Sequence, residues 1–210
     1  MKLYPYHDPE LIEAGCDEAG RGCLAGPVFA AAVILPKDFD DDVLNDSKLM
    51  SIKKRMSMRE IIESKALAWG IGMASLEEIQ ELNIANASYI AMNRAIDNMP
   101  IKPQLLLIDG KYFKSEKDIP HVCIIKGDSK FAAIAAASVL AKTHRDEYMG
   151  ALTVEYPQYS WDINKGYPTK KHREAIRQFG STDYHRKSFK LLPDVKLFDE
   201  KPTKKKKKYS

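Results

Sequence analysis

The sequence has few of the residues that would support a disulfide framework or a zinc site. Its 210 residues include three cysteines, and Cys16, Cys23 and Cys123 form no CxxC pair. The five histidines form no HxxxH or HExxH pattern. An odd, sparse set of cysteines argues against disulfide bonding and is typical of proteins from a reducing cytoplasm.

Long apolar runs are missing as well. The longest, residues 28–35 and 131–137, are far shorter than the roughly 20 residues that a membrane-spanning helix requires. The N-terminal segment also lacks the apolar stretch of a signal peptide. We therefore expect a cytoplasmic protein with no membrane partner.

Two common catalytic and nucleotide-binding motifs are absent. No GxxxxGK[ST] phosphate loop and no GxSxG nucleophile motif occurs. Gly20, Gly22 and Gly26 form GxGxxxG, which is one residue longer than the dinucleotide-binding GxGxxG. The adjacent acids and the enclosed arginine also disfavour a pyrophosphate site there.

The net charge of +4 is a weak indication of nucleic-acid binding, because it comes from one segment. Residues 201–210 contain six lysines and no acid, so residues 1–200 carry a net charge of −2. We interpret 201–210 as a flexible Lys-rich tail that adds sequence-independent, salt-sensitive affinity for nucleic acid. The function of residues 1–200 must therefore depend on particular residues at particular positions and not on net charge.

The remaining 200 residues have the length of one domain and the pattern of an α/β protein. Residues 11–35 are predicted to form two strands joined by a glycine-rich turn. LLLID at 105–109 has the continuous apolar character of a strand buried on both faces, and HVCII at 121–125 resembles another. The alanine-rich segment that follows favours a helix packed closely on the sheet. We predict a mixed α/β sheet with helices on its faces.

Four acids stand where strands end or helices begin, and each has an ordinary alternative. Asp17 and Glu18 precede the glycine-rich turn and could be solvated acids of that turn. Asp109 ends LLLID and could be the first residue of an Asp-Gly turn. Asp128 precedes the alanine-rich helix and could be its N-cap.

Taken together, the four acids favour a site for hard divalent cations. Carboxylate oxygens suit Mg²⁺ or Mn²⁺. Three or four of them could hold two ions about 4 Å apart, an arrangement that serves in-line phosphoryl displacement. Asp17, Glu18, Asp109 and Asp128 are therefore the candidate catalytic and metal-binding residues.

A series of motifs in fixed order carries a resemblance to a known family. The motifs are DEAGRG (17–22) with GP (26–27), NDSK (45–48), LLIDG (106–110), KGDSK (126–130), AAASVLAK (135–142), RDEYM (145–149), GYPTKKH (166–172) and HRKSF (185–189). Over residues 11–190 the chain resembles the type 2 ribonucleases H, and among them the bacterial ribonucleases HII. It departs from the family pattern at Lys187, where a second arginine is expected, and in the variable Phe131-Ala132 segment.

The resemblance implies a fold and an activity. It implies an RNase H-like core with a mixed five-stranded sheet flanked by helices, plus a small helical C-terminal part from about residue 150, within a single catalytic domain of residues 1–200. It implies a ribonuclease H (EC 3.1.26.4), a metal-dependent endonuclease that hydrolyses the RNA strand of RNA–DNA hybrids. It further implies nicking on the 5′ side of ribonucleotides embedded in duplex DNA, leaving 5′-phosphate and 3′-hydroxyl ends. A monomer is the default expectation.

The resemblance also assigns roles to individual residues. It assigns the metal to Asp17, Glu18 and Asp109, with Asp128 as a fourth acid, and two ions during turnover. Further residues are implied in substrate binding: Gly20, Arg21, Gly22, Lys48, Lys142 and Tyr167. Lys48 and Lys142 are expected near the DNA backbone and Tyr167 at the junction after the ribonucleotide. Solvated lysines and a turn aromatic are the alternatives.

Two other functions stay open at this stage. One is a nucleic-acid-binding module without catalysis, in which the acids serve as caps and turns. The other is a different carboxylate–metal nuclease, such as a DNA exonuclease of the RNase H-like superfamily. Cleavage of a substrate that lacks ribonucleotides would separate this second alternative from the favoured function.

Overall fold

The computed structural model describes residues 3–39, 44 and 51–193, which contain one five-stranded sheet and five α-helices. The strands are β1 (Glu13–Ala19), β2 (Val28–Ile34), β3 (Ala68–Ala74), β4 (Leu105–Asp109) and β5 (His121–Ile124). The helices are α1 (Ile52–Lys65), α2 (Leu76–Asp97), α3 (Ala132–Glu155), α4 (Trp161–Asn164) and α5 (Lys170–Phe179). Short 3₁₀ turns cover Gly127–Ser129 and Pro157–Tyr159. The predicted mixed α/β architecture is confirmed.

The order of the strands places β1 at the centre of the sheet. The order is β3-β2-β1-β4-β5. The β1–β2 and β2–β3 pairs are antiparallel, whereas β1–β4 and β4–β5 are parallel. The parallel β1 and β4 therefore both end at the same edge of the sheet.

Helices cover both faces, as the alternation of side chains in β2 requires. Ala31 and Val33 pack with the alanines of α3, while Ala30 and Ala32 pack on the other face with α2. The approach of α3 is very close, since a Cβ at Gly15 would lie 2.1 Å from the carbonyl carbon of Ala133. Glycine in β1 and alanine in α3 thus bring the start of α3 against the central strand, beside the strand end that carries Asp17.

The part of the chain after α3 is helical and has an aromatic core of its own. Trp161 and Tyr159 stack at 5.1 Å between ring centroids and are almost fully buried. Leu24 and Ala25, from the loop between β1 and β2, belong to the same cluster. This packing joins the helical part to the end of β1. In the described ranges, no helix has the length and apolar character needed to cross a membrane.

Candidate active site

Four carboxylates line one open cleft at the end of the parallel strands. Asp17 lies near the end of β1, Asp109 is the last residue of β4, and Asp128 lies in the 3₁₀ turn before α3. With Glu18 they line a cleft of about 420 Å³. The structure thus brings together all four acids singled out in the sequence, although the first and the last are 111 positions apart.

Asp17 and Glu18 share the cleft although they are neighbours in a strand. Asp17 is 6% exposed, and its Oδ1 accepts a hydrogen bond from the backbone N–H of Glu18 at 2.7 Å. Its carboxylate also forms a hydrogen bond with Ser138 of α3. Glu18 Oε1 accepts from Arg21 Nη1 at 2.9 Å, within the turn that follows β1. At a strand end, side chains of opposite alternation can therefore reach one site.

The electrostatics of these two acids show that negative charge is concentrated here. Burial raises the pKa of Asp17 well above its ordinary value, and the charges of Glu18 and then Asp109 raise it further. Burial also raises the pKa of Glu18, where the hydrogen bond and charge of Arg21 oppose the effect. Carboxylates that raise each other's pKa are stabilised by a nearby positive charge.

Asp109 and Asp128 lie in two elements that a hydrogen bond joins. Asp109 Oδ1 accepts from the N–H of Gly127 at 2.7 Å, which joins the end of β4 to the turn that contains Asp128. Asp128 is 7% exposed. The alternative interpretation of Asp128 as the N-cap of α3 is wrong, because Phe131 occupies that position without a side-chain cap.

The donor set fits a hard divalent cation in its chemistry. All four groups are carboxylates, they line one cleft, and Asp17, Glu18 and Asp109 interact electrostatically. Among the described residues, however, no three Cys, His, Asp or Glu side chains form a preassembled metal-holding group. Several of the oxygens are instead bonded to N–H donors, so binding an ion requires the carboxylates to adjust.

The glycine turn lines the cleft together with the acids. Its two glycines differ in the space that a side chain would have. Gly20 has φ +100°, and a Cβ there would lie 2.1 Å from Nε of Arg145. Gly22 has no atom within 4 Å of where its Cβ would be, and it lines the cleft. The first glycine is required by the fold, whereas the second leaves space at the cleft surface.

Tyr167 and Lys142 line the same cleft as the four acids. Tyr167 is 37% exposed, and Lys142 Nζ is 5.6 Å from the centroid of its ring. Lys142 also forms an ion pair with Asp146, and burial lowers the pKa of its ammonium group. Both residues line the cleft with Gly20, Arg21 and Gly22. Lys48, like the tail at 201–210, lies outside the described residues.

Two further polar residues of the cleft were not singled out in the sequence. Ser138 lies within the AAASVLAK motif and bonds Asp17. Arg55 of α1 lines the cleft from the side of the Lys53-Lys54-Arg55 run. Motif membership was an available signal for Ser138. For Arg55, a run of basic residues on a helix is more commonly a solvated face, so the sequence carried no specific signal.

A buried pair of histidines, His172 and His185, is hydrogen-bonded to the backbone of Tyr167. His172 Nδ1 lies 2.9 Å from the carbonyl oxygen of Tyr167, so this nitrogen carries the proton. His172 Nε2 accepts from Trp161 Nε1 at 3.0 Å and lies 3.2 Å from His185 Nε2. The N–H of Thr182 donates to His185 Nδ1 at 2.9 Å. This network requires both rings to be neutral.

Acidification is expected to destabilise the fold through His185. Burial, and then the neighbouring His172, lower the pKa of His185 from 6.5 to about 4. Between these values the unfolded chain binds a proton that the folded chain does not. The free energy of unfolding should therefore fall by on the order of 2 kcal/mol as the pH decreases through this window.

Urea denaturation of the wild type, His185→Gln and His7→Gln at about pH 7 and about pH 4.5 would measure this effect. The His185→Gln variant lacks the titrating ring and should lose part of the pH dependence. The exposed His7 serves as the matched control. Equal pH dependence in all three proteins would contradict the prediction.

Comparison with known proteins is consistent across sequence and structure. The ribonuclease HII family model matches residues 14–192. Ribonuclease HII of Bacteroides thetaiotaomicron is 60% identical over 195 residues, covering 93% of this chain and 98% of the relative. That of Porphyromonas gingivalis is 53% identical, with coverage of 93% and 97%. The solved ribonuclease H2 of Pyrococcus horikoshii OT3 has a similar fold, with a TM-score of 0.72 at 21% identity, covering 85% of this chain and 94% of that one. Bst-RNase HIII in complex with Mn²⁺ gives a TM-score of 0.68 at 18% identity, with coverage of 85% and 67%.

Proposed function

Since the chain belongs to the ribonuclease HII family and is a type 2 ribonuclease H, we propose that it nicks duplex DNA on the 5′ side of a single embedded ribonucleotide as well as hydrolysing the RNA strand of RNA–DNA hybrids. The products would carry 5′-phosphate and 3′-hydroxyl ends. One observation supports this most directly: four carboxylates and the Gly20-Arg21-Gly22 turn line the same cleft. Phosphate chemistry and sugar recognition are therefore adjacent.

We propose that Asp17, Glu18, Asp109 and Asp128 bind divalent metal, Mg²⁺ or Mn²⁺, with two ions during turnover. The structure of Bst-RNase HIII with Mn²⁺ shows that a protein of this fold takes up such an ion. When bound, the metal supplies charge neutralisation at the scissile phosphate and lowers the pKa of the attacking water. Glu18 would exchange its bond with Arg21 for the ion, and Ser138 would keep the Asp17 carboxylate oriented.

The wall of the cleft would bind the sugar and the adjacent nucleotide. The ribose 2′-hydroxyl is both a donor and an acceptor, and it is the group that distinguishes RNA from DNA at one position. Backbone groups of Gly20, Arg21 and Gly22 can approach it because Gly22 carries no side chain at the cleft surface. Tyr167 offers a ring face for the nucleotide after the junction, and Lys142 a positive charge for a phosphate. A cytoplasmic location and a monomeric state stay predictions.

A nicking assay tests the proposal. The substrate is duplex DNA with one ribonucleotide at a known position, incubated with Mg²⁺ or Mn²⁺, and the product ends are mapped. We expect a single cut 5′ of the ribonucleotide and no cleavage of the same duplex made entirely of DNA. Degradation of the all-DNA duplex would favour the exonuclease function. Binding without any cleavage would favour the non-catalytic module.

Substituting Tyr167 is expected to affect the two substrate types unequally. Tyr167→Ala removes the ring that would stack at the junction, so nicking at a single ribonucleotide should fall roughly tenfold or more. A long hybrid, which offers many registers and continuous contacts, should be cleaved with a smaller loss. Initial rates on both substrates measure the difference.

The matched control is Tyr167→Phe, which keeps the ring and removes the hydroxyl that interacts with Cys23. This variant should retain most of the nicking activity. Equal losses of Tyr167→Ala on both substrates would contradict a role in reading the junction.

A further inference from the structure

Two buried arginines donate hydrogen bonds to the backbone of the loop that contains the glycine turn. Arg186 donates from Nη1 to the carbonyl oxygen of Arg21 and from Nε to that of Gly26, both at 2.9 Å. Arg145 donates from Nε to Pro27 at 3.0 Å and from Nη2 to Ala25 at 2.9 Å. The two guanidinium groups thus bind four carbonyl oxygens of residues 21–27.

These guanidinium groups are held by carbonyl oxygens and not by acids. Arg145 is 0% exposed and Arg186 is 2% exposed, and neither forms a salt bridge with a described residue. Burying a charge without a counter-charge is unfavourable unless its donors are bonded. Nη2 of Arg186 is nevertheless buried with no hydrogen-bond partner among the described residues. A buried donor without a partner lowers stability, so the bonds to Arg21 and Gly26 are the contacts that indicate what this guanidinium group does in the loop.

The bond to Arg21 determines the direction of one amide in the cleft. In a trans peptide the carbonyl oxygen and the following N–H point in opposite directions. Because the Arg21 carbonyl points at Arg186, the N–H of Gly22 points away from the buried guanidinium. The part of the chain that the structure describes provides no acceptor for this N–H. Gly22 itself lines the cleft.

We propose that Arg186 is a positioning residue that presets the Gly22 amide for the 2′-hydroxyl of the ribonucleotide. This inference rests on the proposed function, since it assigns a further residue to the same reaction. Arg186 does not touch the substrate. It acts through the peptide between Arg21 and Gly22, while Arg145 holds the second half of the loop and the carbonyl of Lys165.

Two substitutions of Arg186 separate positioning from stability. Arg186→Lys keeps the charge and the aliphatic stem, but one ammonium cannot reproduce the planar fork that reaches Arg21 and Gly26 together. Arg186→Met removes the charge as well. The matched control is Lys187→Met, which removes a charge at the adjacent, exposed position whose partner is Asp183. Circular dichroism and thermal melting establish that each variant is folded.

The decisive readout is the preference for a ribonucleotide in binding. Affinities are measured in Ca²⁺, without turnover, for one duplex that contains a ribonucleotide and for the all-DNA duplex of the same sequence. We expect both Arg186 variants to lose about tenfold in the ratio of the two affinities, as the loss of a well-placed hydrogen bond implies. Affinity for the all-DNA duplex should not change, because phosphate contacts are retained. In Mg²⁺, kcat should fall while KM changes little, and Lys187→Met should behave as the wild type.

The outcomes distinguish this inference from the proposed function. If the wild type does not nick at a ribonucleotide, the proposed function fails. If the wild type nicks but folded Arg186→Lys keeps the wild-type affinity ratio and kcat, the positioning role of Arg186 is overturned. Loss of folding in both variants would also overturn it, since Arg186 would then be a structural residue only.

Discussion

Asp17→Asn is expected to lower the rate of cleavage at least about 1,000-fold while the affinity for an RNA–DNA hybrid changes little. Asp17 is the most buried of the four carboxylates, with 6% of its surface exposed, and it lies where β1 ends against α3. The amide keeps the shape and can still accept from the N–H of Glu18. It cannot supply the negative charge that we propose as a ligand of the metal. Single-turnover cleavage and a binding titration measure the two effects.

The same variant should be more stable than the wild type in the absence of metal. Burial and the charges of Glu18 and Asp109 both disfavour an ionised Asp17, so neutralising it removes repulsion from the folded state. In chelator, the melting temperature of Asp17→Asn should therefore be higher than that of the wild type. Addition of Mg²⁺ or Mn²⁺ should raise the melting temperature of the wild type more than that of the variant.

The matched control is Asp162→Asn, a change of the same chemistry at an exposed position on α4. It should leave cleavage and the metal-dependent increase in melting temperature unchanged. Substantial turnover of Asp17→Asn with Mg²⁺ would contradict the role assigned to Asp17.

Gly22→Ala is expected to abolish most cleavage without destabilising the protein. Its Cβ would meet no atom within 4 Å, so the free protein accommodates the methyl group. That methyl group would occupy the surface of the cleft at which we propose that the ribose binds. The methyl group would hold the ribose away from the backbone of the turn. Because a misplacement of about 1 Å is enough for such a loss, kcat/KM should fall by about 100-fold or more.

Two other glycines are the controls for this experiment. Gly20→Ala puts a Cβ 2.1 Å from Nε of Arg145 and strains a residue with φ +100°, so it should lower stability as well as activity. Gly150→Ala, in α3 with open space around it, should leave activity unchanged and slightly raise stability. Melting temperatures and kcat/KM for all three variants test the distinction. Wild-type activity in folded Gly22→Ala would contradict a substrate-facing role for this residue.

The sequence predicted much of the fold because local patterns dominate in this chain. LLLID reads as a buried strand that ends in an acid, and it is β4 with Asp109 as its last residue. The alanine-rich segment reads as a closely packed helix, and it is α3. The strand order could not be derived in the same way. Periodicity indicates which faces are buried, but not which strands pair across long separations.

Residue spacing alone left the acids ambiguous. Asp128 had the position of a helix N-cap, and only the backbone course shows that the N-cap of α3 is Phe131, three residues later, after a 3₁₀ turn. Asp17 and Glu18 should point to opposite faces of a strand, and their shared cleft depends on how the strand end meets the turn and α3. The ordered motifs compensated for this ambiguity by carrying the family resemblance.

The sequence by itself determined the class of sheet, the apolar segments that form it, the four carboxylates and the family. Each of these is encoded in local pattern or in motifs of adjacent residues. Only the tertiary structure decided that Gly20 has no space for a side chain whereas Gly22 has. It also decided that Arg145 and Arg186 bind backbone carbonyl oxygens of the loop between β1 and β2. Charged side chains are normally exposed, so sequence reasoning does not place two arginines in the interior. Their partners lie far along the chain, 160 residues away for Arg186 and Gly26, and such contacts exist only once the helical part has packed against the end of β1.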